Sequence, residues 1–406
     1  MSSTELYITE IRLAEHPYIK QKGIHIQSTN QEKRNIIITG RNGCGKSTLL
    51  KQIKYYLSTI SKKNGIIHND YFRSQWLDAH QTFIKLSPKA AQYSHAQDDT
   101  LQKYSQLNDH GGLAGIIFNN SNIDNFNNVL AYFEAKRVTD LSKPENITAP
   151  IAKEMAIGNH NSGKEFIHHL VNRRSQLAFA LEDNDTSEVE EIRSWFTTLD
   201  SLFSRLFEKP VQLKFQRTQL DFTLETEDGE IIDLKTLSDG YSAIVNMVTE
   251  IIMRMEAITF GGLGVSGIVL IDEVETHLHV ALQREILPFL TTMFPNIQFI
   301  VTTHSPFVLQ SVDDAIIYDL ETNQTINQEK ELWAYSYEAL IDGYFEVAKF
   351  SGLLQKKIER YKELIIKDGL NREEKKDLRQ LKKELENVPT FKNANIEAEL
   401  KQLGLK

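Results

Sequence analysis

Three glycines fall within six positions, Gly40, Gly43 and Gly45, and Lys46, Ser47 and Thr48 follow at once. With Arg41, Asn42 and Cys44 between them, the residues spell G-x-x-x-x-G-K-[ST]. Glycines at this density let the backbone curl round a phosphate with its N–H groups pointing inward. Lys46 then reaches the β- and γ-phosphates of a nucleoside triphosphate, and the Ser47 hydroxyl holds Mg²⁺. Two further polar sets close apolar runs. Gly267-Ile268-Val269-Leu270-Ile271 ends in Asp272-Glu273, and Ile297-Gln298-Phe299-Ile300-Val301 ends in Thr302-Thr303-His304-Ser305. Asp272 suits Mg²⁺, a hard cation that prefers oxygen. Glu273 is placed to orient and deprotonate an attacking water. His304 can donate a hydrogen bond to a γ-phosphate. Each set has a bland reading: a chance turn, a helix cap, a structural histidine. Their occurrence in one order favours the chemistry.

Two other stretches are weaker alone. Leu237-Ser238-Asp239-Gly240-Tyr241 opens a long apolar helix, and a Ser-Asp-Gly start is an ordinary N-cap. Its place between the phosphate loop and the acidic strand end weighs against a plain cap. Glu275-Thr276-His277-Leu278-His279 puts its histidines at i and i+2, which do not share a helical face. A turn packed at a subunit contact is favoured there over a zinc site.

These groups need elements to hold them. Asn35–Thr39 reads as a buried strand and 46–60 as the helix after the loop. Residues 5–13 alternate as an edge strand would, and 24–26 form a second short strand. Val129–Phe133 reads as a buried strand running into Glu134-Ala135-Lys136-Arg137. Residues 162–182 and 187–207 show helical apolar faces, with Ser187 and Glu190 as a capping box for the second. Residues 211–215, 221–225 and 231–234 read as hairpin strands, the last pair joined through Glu227-Asp228-Gly229-Glu230. Residues 61–128 are rich in Asn, Gln, Ser, His and Asp, and read as a surface insertion, either decoration or a contact surface. Residues 351–386 form a charged αα-hairpin with Asp368-Gly369 as its turn and Asn371 with Glu374 as a cap. A solvated hairpin, a docking site for an oligomer or partner, and, as the minority view, DNA contact through Lys356, Lys357, Lys375, Lys376, Lys382 and Lys383 stay open.

The whole chain narrows the class. A net charge of −9 over 406 residues argues against a protein that coats nucleic acid. A single cysteine, Cys44, rules out a disulfide framework or a cysteine zinc cluster. The N-terminus lacks a basic-then-apolar signal and no run approaches 18 apolar residues. A cytoplasmic protein without a membrane span is expected. No histidine follows His304, so an HNH-type nuclease is not expected downstream.

The order of these motifs resembles the ABC-type ATPase heads, more narrowly the RecF/SMC/OLD branch. Ile271-Asp272-Glu273-Val274-Glu275-Thr276-His277-Leu278-His279 is similar to that branch's D-E-P-E-x-H-L-H text, with Val274 for Pro. Tyr132-Phe133-Glu134-Ala135-Lys136-Arg137 and Ser336-Tyr337-Glu338-Ala339-Leu340-Ile341-Asp342-Gly343-Tyr344-Phe345 resemble text in PtuA/AriA-like ATPase subunits of the Septu, retron-associated and PARIS anti-phage systems. The resemblance covers about 1–60 and 129–345. It implies an α/β fold: a P-loop ATPase head with a mixed β-sheet and flanking helices, helical insertions and a C-terminal helical hairpin. The implied parts are an N-lobe (1–60 and 129–160), the insertion (61–128), a helical subdomain (161–208), a C-lobe (209–345) and the tail (346–406). It also implies two ATP sites in a head dimer, each loop closed over by Ser238 and Gly240 of another copy. A separate effector such as a nuclease and a DNA or phage-protein trigger are the implied partners; a DNA-repair or DNA-loading ATPase is the rival. The chain departs from LSGGQ, with Asp239 and Tyr241 for Gly and Gln, and the usual glutamine after the insertion-side strand has no clear counterpart beyond Gln75, Lys136 and Arg137 standing in that region. Slow turnover is therefore expected.

Overall fold

A computed structural model describes residues 5–13, 18–28, 32–62, 113–119, 128–137, 163–259, 261–312, 314–326, 352–367, 369–387 and 401–402. Two compact units divide the chain, Met1–Trp333 and Ala334–Lys406. Gln75 and the 336–345 stretch lie outside the described residues.

The first unit begins with β1 (Ile8–Leu13), β2 (Ile24–Gln27) and β3 (Asn35–Thr39), then α1 (Lys46–Lys62), β4 (Leu113–Phe118) and β5 (Val129–Phe133). Helices α2 (Gly163–Glu182) and α3 (Thr186–Leu206) follow, then β6 (Val211–Gln216), β7 (Asp221–Thr226), β8 (Ile231–Ile232) and α4 (Asp239–Ile258). The remainder is β9 (Gly267–Ile271), α5 (Val280–Met293), β10 (Ile297–Thr302), the one-turn α6 (Pro306–Leu309), β11 (Ala315–Asp319) and β12 (Gln324–Ile326).

The central sheet runs β12-β11-β3-β10-β9-β5. Its four pairings from β11 to β5 are parallel, and only β12 is antiparallel. Every residue of β5, β9, β10 and β11 is buried, which is why these strands read as unbroken apolar runs. All five parallel strands point their C-terminal ends the same way. The phosphate loop, Asp272-Glu273 and Thr303-His304 therefore leave the sheet along one edge, where ligands sit in open α/β sheets.

The 5–13 stretch is not an edge strand. Strand β1 lies between β2 and β4 in a three-stranded antiparallel sheet, so β4, counted with the 61–128 insertion, pairs into the head. Gln298, fully buried in β10, ties this sheet to the central one. Its amide donates to the Ile8 and Arg34 carbonyls at 2.9 and 2.8 Å, and its oxygen accepts from Ile8 N–H at 2.7 Å. Partners 290 residues apart leave no local trace in the sequence.

Helix α3 buries Val189, Ile192, Trp195, Leu199, Phe203 and Leu206 along one face. Its cap is Asp185, not Ser187: the Asp185 carboxylate accepts from Glu188 N–H at 3.0 Å. Cap-forming residues at both positions made the start ambiguous by two residues. Strands β6, β7 and β8 form an antiparallel meander against α3. Helix α4 is apolar nearly all round and buried accordingly. Arg254 on it pairs with Glu250 at 2.7 Å and donates to the Leu130 carbonyl of β5 at 2.6 Å. Those bonds fasten α4 to the last strand of the sheet.

In the second unit, α7 (Gly352–Ile366) and α8 (Arg372–Glu386) pack antiparallel over Ile358, Tyr361, Leu364, Leu381 and Leu385. Lys357–Glu384, Arg360–Asp377 and Lys367–Glu374 lace the seam. Asn371 and Glu374 form the expected capping box.

Candidate functional site

The phosphate loop is built on glycines that no other residue replaces cheaply. Gly40, Gly43 and Gly45 have φ of 133°, 78° and 110°. A Cβ on Gly45 would lie 2.8 Å from Ile19 Cγ1 and 3.0 Å from the Tyr18 carbonyl, because the 18–19 backbone presses on the loop from outside. Arg41 and Asn42 are exposed at the loop's crest, and Arg41 N–H donates to Glu321 at 3.1 Å. The Cys44 thiol is buried beneath it, and burial pushes its pKa up, so it stays a neutral thiol. Thr48 is half-buried in the first turn of α1.

Lys46 is only 6% exposed, yet its ammonium binds neutral oxygens, the Gly40 and Arg41 carbonyls at 2.9 and 3.2 Å. Burial lowers its pKa against the pull of Cys44, Glu273, Glu275 and Asp272. A buried cation held on carbonyls at the N-terminus of a 17-residue helix is a seat for anionic oxygen. The His304 Nδ1 lies 3.5 Å from the same ammonium. Burial first, and Lys46 second, lower the His304 pKa, so the ring is neutral at pH 7. With Nδ1 presented to an ammonium as acceptor, the ring proton belongs on Nε2, which is left to donate.

Ser47 and Asp272 meet directly. The Ser47 hydroxyl and the Thr302 hydroxyl donate to the same oxygen, Asp272 Oδ1, at 3.0 and 2.6 Å. Hydroxyl and carboxylate oxygens thus converge beside the loop, the hard donor set that Mg²⁺ takes. These residues fit ATP with Mg²⁺.

Glu273 starts a tight turn. Its φ is +45°, and that of His277 is +69°. A non-glycine residue in the left-handed region costs about 1–2 kcal/mol, and it persists where surroundings hold it. Here Glu273 N–H donates to Thr302 Oγ1 at 2.7 Å, and Thr276 donates to Glu273 Oε2 at 3.2 Å. Glu275 reaches the other way. It accepts from His304 N–H at 2.6 Å and from the Thr303 hydroxyl at 2.7 Å, so it anchors the histidine strand end to the acidic turn.

Lys46, Ser47, Asp272, Glu273 and His304 are therefore brought together. Ser238 and Gly240 are not joined to them: among the described residues neither hydrogen-bonds to the loop of its own chain. Ser238 is the exposed N-cap of α4, and its hydroxyl makes no cap bond. Asp239 is likewise exposed in the first turn. Gly240 is buried, and a Cβ there would lie 3.1 Å from the His277 carbonyl, so a glycine lets α4 rest on the turn after Glu273. Tyr241, standing where LSGGQ has Gln, stacks on Phe207 at 5.2 Å.

A family model described as "AAA domain, putative AbiEii toxin, Type IV TA system" matches residues 52–310, well over half of the chain. The chain belongs to this AAA family. Retron Ec83 probable ATPase of Escherichia coli is 25% identical over 472 residues, which span 93% of this chain and 84% of that protein. Retron Vc95 probable ATPase of Vibrio cholerae serotype O1 biovar El Tor is 26% identical over 389 residues, 77% and 76% of the two chains. Septu protein PtuA of Bacillus mycoides (strain KBAB4) is 32% identical over 163 residues, 37% and 22% of the two. The resemblance to ATPase subunits of anti-phage systems thus holds in named relatives. Among the described residues no helix is long and apolar enough to cross a membrane.

Two contributors in this AAA protein escaped the sequence reading. Glu275 was visible only as part of a motif, because its partners are a backbone N–H and a threonine 28 or 29 residues away. Arg137 stood out only as a residue where a glutamine was sought. It is buried against the backbone of the acidic turn.

Proposed function

We propose that this protein binds ATP with Mg²⁺ and hydrolyses it as the ATPase subunit of an anti-phage defence system. In this reading copies assemble head to head, Ser238 and Gly240 of one closing over the loop of another, and the assembly controls a separate effector. The observation that carries the catalytic part is the shared Asp272 oxygen, contacted by Ser47 from the loop and Thr302 from the histidine strand, beside buried Lys46. The retron and Septu names of the relatives support the defence part. An exposed Ser238 hydroxyl with no cap bond supports a role toward a second copy.

Ser47 and Asp272 would hold Mg²⁺, which when bound would supply charge neutralisation for the phosphates. The chain's own groups supply the rest. Lys46 gives up its carbonyl partners for phosphate oxygens, a stronger, charge-assisted set. His304 donates from Nε2 to a terminal phosphate oxygen. Glu273 accepts the proton of the attacking water, aimed by the bonds to its own N–H and carboxylate.

Glu273→Gln keeps the shape and removes the base. Hydrolysis should fall by about 10²–10⁴-fold, while light scattering with Mg-ATP shows assemblies that outlast those of the wild type. Unchanged hydrolysis together with unchanged assembly would falsify the paired-site reading.

A further inference from the structure

The Arg137 guanidinium is buried, 7% exposed, just past the end of β5. It donates to three successive peptide carbonyls: those of Asp272 and Glu273 through Nη2, the latter at 3.0 Å, and that of Val274 through Nη1 at 3.5 Å. Successive carbonyls of a strand alternate in direction. Three can converge on one cation here because the chain turns through the left-handed region at Glu273, φ +45°. The guanidinium is thus matched to the turn rather than to any side chain. Burial pulls its pKa down to about 10, against Glu275, Asp272 and Glu273, so it stays charged at neutral pH. Among the described residues its Nε has no hydrogen-bond partner, and the bonds its guanidinium makes there all go to this backbone.

We propose that Arg137 is a positioning residue, a clamp on the 272–274 backbone that holds Glu273 at the angle hydrolysis requires. This rests on Glu273 being the base. The geometry makes a specific demand on the side chain. A planar fork spreads donors on two nitrogens over three carbonyls in a fixed geometry, and a lysine ammonium, three donors on one atom of a flexible stem, does not hold that geometry. The clamp holds the Asp272 peptide carbonyl, not the carboxylate that meets Ser47 and Thr302, and it bonds no residue of the phosphate loop, so its loss acts on turnover more than on binding. The same turn carries the His277 carbonyl against Gly240, so the clamp also sets the surface on which the start of α4 rests.

The test uses the full chain with Arg137→Lys and Arg137→Met. Hydrogen exchange of amides 272–278 should quicken at least tenfold in both, with the sheet strands unchanged. The kcat for ATP should fall at least tenfold, about 1.4 kcal/mol, with KM and Mg-ATP affinity within twofold of wild type. Unchanged exchange at 272–278 overturns the clamp. So does a loss of ATP affinity in step with kcat, which marks a general loosening of the fold. If Arg137→Met fails to fold, Arg137→Lys below its melting temperature carries both readouts. A wild type that binds ATP without hydrolysing it sinks the reading of Glu273, while the exchange measurement still decides whether Arg137 holds the turn.

Discussion

Removal of the Glu275 carboxylate should uncouple the histidine strand end from the acidic turn. Two donors converge on it, the His304 N–H at 2.6 Å and the Thr303 hydroxyl at 2.7 Å. Bonds to a charged group contribute about 1.5–3 kcal/mol each, and a buried donor left without an acceptor costs about 1–3 kcal/mol. Burial nevertheless outweighs those bonds and raises the carboxyl pKa above 4.5. Glu275→Ala strands both donors and should destabilise the protein by about 3 kcal/mol, several degrees in melting temperature for a chain of this size. Glu275→Gln keeps one acceptor for His304 and sheds the buried charge, so its cost should be nearer 1 kcal/mol. The sign with pH follows. A raised folded pKa means a contribution that is complete below 4.5 and lost as pH climbs through the folded value. The gap between wild type and Glu275→Gln should therefore narrow as pH rises. Activity adds a sharper reading, because a 1 Å displacement of a positioned group costs roughly 10²-fold. Steady-state ATPase rates should fall 10- to 100-fold in Glu275→Ala and less than tenfold in Glu275→Gln. Equal rates in wild type and Glu275→Ala, at temperatures where both are folded, would refute the anchoring argument.

Two further outcomes follow from buried groups. Glu256, 6% exposed, accepts from Trp195 Nε1 at 2.7 Å and Gly261 N–H at 3.0 Å, with Arg173 and His169 each 3.4 Å away; Glu256→Ala should cost about 3–5 kcal/mol in urea unfolding with ATP affinity unchanged. The His304 pKa lies below 6.5, so the unfolded chain binds the extra proton first and stability falls as pH drops through 6.5; melting scans from pH 7.5 to 5.5 should show a wild-type loss that His304→Gln lacks.

The sequence disclosed what is contiguous. The loop, both polar strand ends and the α7–α8 hairpin each lie within a short window, and local chemistry names them. It concealed what depends on distant partners. Strand β1 reads as an edge because its alternation says nothing of neighbours on both sides, one of them beyond residue 112. The Asp185 cap lost to Ser187 because two good caps stand two residues apart and only the chain's path chooses between them. Arg137 looks like a misplaced glutamine because its partners are carbonyls, which every residue possesses.

Tyr241 shows how a departure from a motif becomes intelligible once its neighbours are known. Where the LSGGQ pattern has glutamine, tyrosine lies flat on Phe207, the C-cap of α3, with rings 21° from parallel. An offset aromatic pair contributes about 0.5–1.5 kcal/mol beyond burial. One residue earlier Gly240 rests on the His277 carbonyl, and between three and four turns later Arg254 donates to β5. Helix α4 is therefore fixed to the helical pair, to the acidic turn and to the sheet within its first five turns. Any displacement of Ser238 must either strain those three contacts or carry α3 along with it. The ring stack is the weakest of the three. On the proposed pairing of copies, a shift of Ser238 would load this stack, and with it α3, before it loads the contacts to the turn and the sheet.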